Sequence, residues 1–275
     1  MASTALAMTV YYDPDRIESG AFPALLAIGD SWFWYPFVSN LLAELSAVVK
    51  PDYSNILTLG RVGAKLEQFA TGPYAKQLAR QLRPQNIVFY SALLISGGGN
   101  DAVDWRLCLR DDCAGLTTAG DCIDLERLAN SMNDLSGWLL ALINETRDAA
   151  SAAGRQPLDV FVHCYDYAPP NGEPARFPLF GIPLLGPWLK PAMDQANVAP
   201  DFALRQDIVK LLIDSLEATF SEFDSPPDRV HVIRTAGTLD PDTDWANELH
   251  PNGEGYRKLI HGPWLARLRQ AGYAS

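Results

Sequence analysis

The amino-acid sequence predicts a single α/β domain in three layers, with helices on both faces of a five-stranded, mainly parallel sheet in flavodoxin-like order. Three observations carry that expectation. Short apolar runs alternate with longer segments of helical periodicity, the mark of βαβ units. The first three runs each close on a glycine, Gly29, Gly60 and Gly97, as strands feeding tight turns do. Hydrophobic residues make up 48% of the 275 and are spread along the whole chain without internal repeat or linker, so residues 1–275 read as one domain. A chain of this length buries about three-quarters of the surface its unfolded form exposes and needs no disulfide to fold.

Residues 24–28 (ALLAI) form the first expected strand, closed by Gly29-Asp30-Ser31. A helix follows with Ser39 as N-cap and Leu41, Leu42, Leu45, Val48 and Val49 on its apolar face, and Pro51 ends it. Residues 55–59 (NILTL) make the second strand, and 73–83 a helix with proline at its first position. The third strand, over 87–96, runs into Gly97-Gly98-Gly99-Asn100-Asp101. Leu125, Leu128, Met132, Leu135, Leu139 and Leu142 then alternate at spacings of three and four, one apolar stripe of a long helix that Gly154 stops. Residues 158–163 (LDVFVH) form the fourth strand. A second long helix over 201–223 turns Ile208, Leu211, Leu212 and Leu216 inward, 229–233 (RVHVI) is the fifth strand, and a last helix begins after Pro251-Asn252-Gly253.

Two segments break the alternation. Residues 102–123 are a polar, cysteine-containing insertion, and 168–191 hold seven of the 20 prolines with Phe177, Phe180 and Trp188 among them. Both follow the carboxyl end of a strand, the edge where open α/β sheets bind ligands, and both are read as pocket walls.

The charge balance narrows the partners. With 22 Lys+Arg against 33 Asp+Glu the net charge is −11, a surface that repels phosphate backbones and anionic lipid, so nucleic acid is not an expected partner. No stretch approaches the apolar length of a membrane span. The first 16 residues lack the basic and apolar regions of a signal peptide, which leaves the cytoplasm as the expected compartment. Cys108, Cys113 and Cys122 are spaced C-x4-C-x8-C, with no CxxC and no histidine nearby, so zinc is not expected. Together with Cys164 they are read as reduced thiols, a Cys108–Cys113 or Cys108–Cys122 bridge being the alternative. Nothing in the sequence speaks to oligomeric state.

Chemistry-bearing residues gather at the strand ends. Ser31 comes directly off the first strand, in a turn whose N–H groups are unpaired and can point at a developing oxyanion. Gly63, in Gly60-Arg61-Val62-Gly63, lets the backbone approach a substrate and offers a second N–H. Asn100 follows the third strand with an amide donor. The GGGND run has neither the lysine of a phosphate loop nor GxGxxG spacing, so no nucleotide is expected there. His250, one of four histidines, stands just before the last helix.

In these four blocks, from about Leu25 to Tyr256, the chain resembles the SGNH, or GDSL-type, hydrolases. The resemblance implies that Ser31 is the nucleophile and His250 the general base, with Gly63 and Asn100 completing an oxyanion hole beside the Ser31 amide. It also implies an esterase or lipase activity on a small-molecule or acylated ester, with no cofactor and no metal. The same residues would serve an acyltransferase or a carbohydrate O-deacetylase.

One position departs from the pattern: Asn247 stands where the family usually has aspartate, three residues before the histidine. An amide cannot stabilise an imidazolium as a carboxylate does. Asp244 is therefore the expected triad acid, with Glu248 the next candidate and Asn247 itself, a backbone carbonyl or no acid the remaining readings, and a catalytically inactive binding domain is the reading that Asn247 itself would favour. Asp30 and Asp101 are read as turn organisers. Trp32, Phe33, Trp34, Tyr35 and Phe37 divide between core and pocket, with Trp188 and residues 165–167 as further pocket candidates.

Overall fold

Every strand pairing of the central sheet is parallel. The computed structural model describes residues 9–17, 20, 22–34, 40–103, 108–176 and 183–275. Its central strands are β1 (Val10–Tyr11), β2 (Leu25–Gly29), β3 (Ile56–Thr58), β4 (Ala92–Ser96) and β5 (Asp159–His163). A two-stranded antiparallel hairpin, β6 (Ala175–Arg176) and β7 (Pro183–Leu185), stands apart, and β8 (Val230–Ile233) completes the sheet in the order β1-β3-β2-β4-β5-β8.

The five strands expected from the sequence thus lie in flavodoxin-like order, and the sheet has a sixth. The extra strand β1 pairs Val10 with Ile56 and Tyr11 with Leu57. Two residues are too short to show a period of two, so no pattern could announce it. The third strand is also shorter than expected, because 84–87 turn as a helix with Pro84 at its first position. Strands β2 to β5 are buried at every residue. Helices cover both faces of such a sheet, and its strands accordingly read as unbroken apolar runs.

Eleven α-helical segments lie among the described residues. They are α1 (Leu41–Ser46), α2 (Leu66–Ala70), α3 (Ala75–Gln81), α4 (Pro84–Ile87), α5 (Gly99–Val103), α6 (Ala119–Cys122), α7 (Leu125–Ala152), α8 (Leu189–Gln195), α9 (Phe202–Ser221), α10 (Gly253–Leu259) and α11 (Leu265–Gln270). The expected cap Ser39 lies outside the described residues. Asn40 caps α1, its Oδ1 accepting from the Ala43 N–H. Asp124 and Asp201 cap the two long helices in the same way. The stripe of α7 is buried from Leu128 to Leu142, but Leu125, at the first turn, is 66% exposed. Gly154 follows its last turn at φ +67°.

Of the two insertions, the first carries α6 and all four cysteines of the chain are free and buried. Cys113, not Cys108, faces Cys122, its Sγ lying 3.6 Å from the Cys122 carbonyl oxygen, while Cys108 faces Ser131. The second insertion carries the hairpin and leads into α8. Tyr35, Phe37, Phe177 and Phe180 lie outside the described residues. Among the described residues no helix is long and apolar enough to cross a membrane.

Candidate active site

The turn that carries Ser31 is built by Asp30. Its N–H continues the ladder onto the Ser96 carbonyl, its own carbonyl accepts from Phe33 and Trp34, and its Oδ1 accepts from Trp32 at 3.0 Å. These bonds wrap the chain around Ser31 and leave the Ser31 N–H with no acceptor among the described residues. The Asp30 carboxylate also accepts from Tyr165 Oη (2.6 Å) and Ser96 Oγ (3.0 Å). Burial pushes its carboxyl up to about 6, against the pull of those hydrogen bonds.

The second block is stitched to the first, the Arg61 N–H donating to the Gly29 carbonyl at 3.0 Å. Gly63 has φ +72°, a conformation that favours glycine, and among the described residues its N–H also has no acceptor. The third block closes on the other two. Asn100 Nδ2 donates to the Ala64 carbonyl (3.0 Å) and, more weakly, to Asp30 Oδ2 (3.4 Å). Asp101 accepts from the Leu66 (2.8 Å) and Gly98 (3.2 Å) N–H groups, which makes both expected turn organisers what the sequence suggested.

The histidine block follows β8, the edge strand at the opposite end of the sheet from β1. His250 Nε2 lies 2.7 Å from Ser31 Oγ, with both residues buried. Its Nδ1 lies 2.9 Å from Asn247 Oδ1, which also accepts from the Leu249 (3.0 Å) and His250 (3.1 Å) N–H groups. Two backbone donors require the oxygen, not the amide nitrogen, at that spot. His250 Nδ1 must therefore carry the proton, and Nε2 is left free to accept from the serine hydroxyl. Burial pushes the imidazole down to about 3, so it is neutral.

Asp244, the expected acid, does not meet His250. Its carboxylate takes Lys258 Nζ at 2.8 and 2.7 Å and the Asp240 N–H at 2.7 Å, and so braces the base of the loop. Glu248, the other candidate, points the opposite way and accepts four backbone N–H groups. A side chain six residues upstream could reach the imidazole only by folding back, and the Lys258 ammonium holds Asp244 elsewhere.

Trp32 ties the two halves of the site. Its indole N–H donates to the Leu249 carbonyl at 3.0 Å, and its ring packs edge-on against Tyr165, Trp245 and Tyr256. Sequence reasoning singled out Trp32 and Tyr165 as pocket candidates but not these roles, because Tyr165 is 135 and Leu249 217 residues from its partner. Between the blocks lies a narrow cleft of about 30 Å³, bordered by Ser31, Asn100, Tyr165, Ala168, Ile213 and Leu249.

No protein-family model and no curated protein matches the chain. Among solved structures it is similar to phospholipase A1 from Streptomyces albidoflavus NA297, at 16% identity over 90% of this chain and 98% of that one, with a TM-score of 0.46. It is similar as well to a carbohydrate acetylesterase from Sinorhizobium meliloti (14%, 90% and 99%, 0.46) and to the native aryl esterase of M. smegmatis (13%, 90% and 99%, 0.49). Likenesses of this degree assign no activity to the chain.

Proposed function

We propose that the chain is a serine hydrolase of the SGNH, or GDSL-type, class that cleaves carboxylic esters through an acyl-enzyme on Ser31. One observation carries the reading: Ser31 Oγ, His250 and Asn247 Oδ1 lie in hydrogen-bonded sequence at 2.7 and 2.9 Å, beside unclaimed N–H groups. Ser31 Oγ attacks the carbonyl carbon while His250 Nε2 takes its proton. The tetrahedral oxyanion is held by the Ser31 and Gly63 amides, with Asn100 Nδ2 exchanging its weaker bond to Asp30 for the oxyanion. His250 returns the proton to the leaving alcohol, and water then repeats the cycle on the acyl-enzyme.

Asn247 supports catalysis rather than an inactive binding domain. The amide that costs serine proteases about 10⁴ in rate does so by fixing the wrong imidazole tautomer. Here two backbone N–H groups hold the amide oxygen toward Nδ1, which is the productive tautomer. What is missing is the negative charge.

The cleft is lined by the apolar side chains of Ala168, Ile213 and Leu249 beside Ser31, which favours an uncharged acyl group. Hydrolysis of p-nitrophenyl acetate, butyrate and octanoate tests both statements. Turnover that vanishes in Ser31→Ala is expected, and its dependence on chain length sizes the acyl site. Equal rates in the two proteins would remove Ser31 from the chemistry.

A further inference from the structure

Glu248 is fully buried two residues from His250, and among the described residues no cation pairs with it. Its oxygens are satisfied by backbone instead. Oε2 accepts from the Trp188 (2.6 Å) and Leu189 (2.8 Å) N–H groups, and Oε1 from Lys190 (3.0 Å) and Gly172 (2.8 Å). Its own N–H donates to the Glu173 carbonyl at 3.1 Å. Two stretches of the second insertion, sixteen residues apart, thus close on one residue of the histidine loop. The Lys190 ammonium turns outward to Asp194.

A carboxylate is costly to bury, and four converging donors are what make it tolerable. Capping a seven-residue helix such as α8 requires far less than this. The arrangement has a consequence at the site: the Trp188 indole stands edge-on to the His250 imidazole, ring centres 5.9 Å apart at 74°. The leaving alcohol has to come within hydrogen-bond reach of His250 Nε2, and the Trp188 ring packs on that same imidazole, so its position bears on how the imidazole is held.

We propose that Glu248 is a positioning residue for the ester hydrolysis described above: it holds Trp188 against His250 and so fixes the imidazole for protonating the leaving alcohol. The inference rests on the esterase reading. In Glu248→Gln the side-chain shape is kept, but the amide NH2 faces one pair of N–H donors, so either the Trp188–Leu189 or the Gly172–Lys190 contacts are lost.

The test compares p-nitrophenyl acetate, whose leaving group needs little protonation, with benzyl acetate, whose alcohol needs it. In Glu248→Gln, kcat/KM for benzyl acetate, which reads the acylation step in which the alcohol leaves, is expected to fall about tenfold or more, and for p-nitrophenyl acetate about threefold or less. Trp188→Ala is expected to show the same split, and the double variant to be no worse than the poorer single one, because both changes break one linkage. A uniform loss on both esters, or none, would reduce Glu248 to a structural role. Were Glu248→Gln not to fold, an unsplit Trp188→Ala would overturn the proposal equally. Native protein silent on both esters would defeat the esterase reading itself, whereas native turnover with unsplit variants defeats only the positioning role.

Discussion

At residue 247 an amide oxygen stands beside His250 Nδ1 where the proposed mechanism would place a triad acid, and it brings no charge. Orientation and charge separate by mutation. Asn247→Ala removes the acceptor for His250 Nδ1–H and is expected to lower kcat by about 10²–10⁴, the range seen when an imidazole loses its orientation. Asn247→Asp keeps an acceptor for the same three donors and adds a negative charge beside the ring. An opposite charge favours the imidazolium, so His250 rises from about 3 and the acid limb of the kcat/KM profile moves to higher pH, with no loss of rate on the alkaline side. A pH–rate series on the two variants and native protein reads both effects. Asp244 supplies the contrast. Paired with Lys258 and remote from the imidazole, it should matter to stability alone. Asp244→Asn is expected to keep kcat within about threefold while lowering stability in urea denaturation, because the buried carboxylate that accepts from both the exposed Lys258 ammonium and the Asp240 N–H is replaced by an amide with one acceptor oxygen. A loss of kcat without loss of stability would return Asp244 to the chemistry.

The four blocks each sit at the end of an element, and that is why they were legible. A strand that stops in a turn leaves a local trace in the sequence, so Ser31, Gly63, Asn100 and His250 could be named with no partner in view. The partners of Asp244 and Glu248 left none. Lys258 is one helix away, and the N–H groups that Glu248 accepts from are 58 to 76 residues upstream, so tertiary packing alone decides which carboxylate goes where. The same limit hid β1, which exists only because β3 offers it an edge. Gly29 shows how an element boundary and the chemistry coincide. A Cβ there would run into the Ser96 carbonyl oxygen and Cβ, where β2 and β4 meet in register. Both obstacles are fixed by the ladder, so neither can give way. Gly29→Ala is expected to lose about 3 kcal/mol or more in urea denaturation, at the upper end of overpacking costs. A Cβ at Gly63 meets open space, and only its positive φ resists substitution, so Gly63→Ala should lose about 1 kcal/mol. Equal losses at the two positions would contradict the close approach of β2 to β4.

Across the whole molecule, burial of ionisable groups couples stability to pH. His163 lies inside the core, its Nδ1 accepting from the Trp264 indole N–H at 3.2 Å while among the described residues Nε2 has no partner. Burial pushes it, like His250, from 6.5 down to about 3. Between those values the unfolded chain binds a proton at each ring that the folded chain refuses. Stability is therefore lost as pH falls below 6.5, and the loss ends near 3. Each histidine contributes a slope of at most about 1.4 kcal/mol per pH unit. Asp30 works in the opposite sense. With its carboxyl raised from 3.8 to about 6, the folded chain holds the extra proton between those values, and its contribution grows on acidification. Among these three groups one histidine's worth of acid sensitivity survives between about pH 4 and 6. His163→Phe isolates it, because the aromatic volume stays and the titrating nitrogen goes. The lost Trp264 bond shifts the variant by a constant, whereas the proton linkage changes the slope. From pH 6.5 to 4.5 native protein is expected to lose about 2–3 kcal/mol more than His163→Phe in urea unfolding. Parallel losses would mean that the folded core accepts a proton at His163, which its packing against Trp32, Phe33, Tyr165 and Trp264 leaves no water to stabilise.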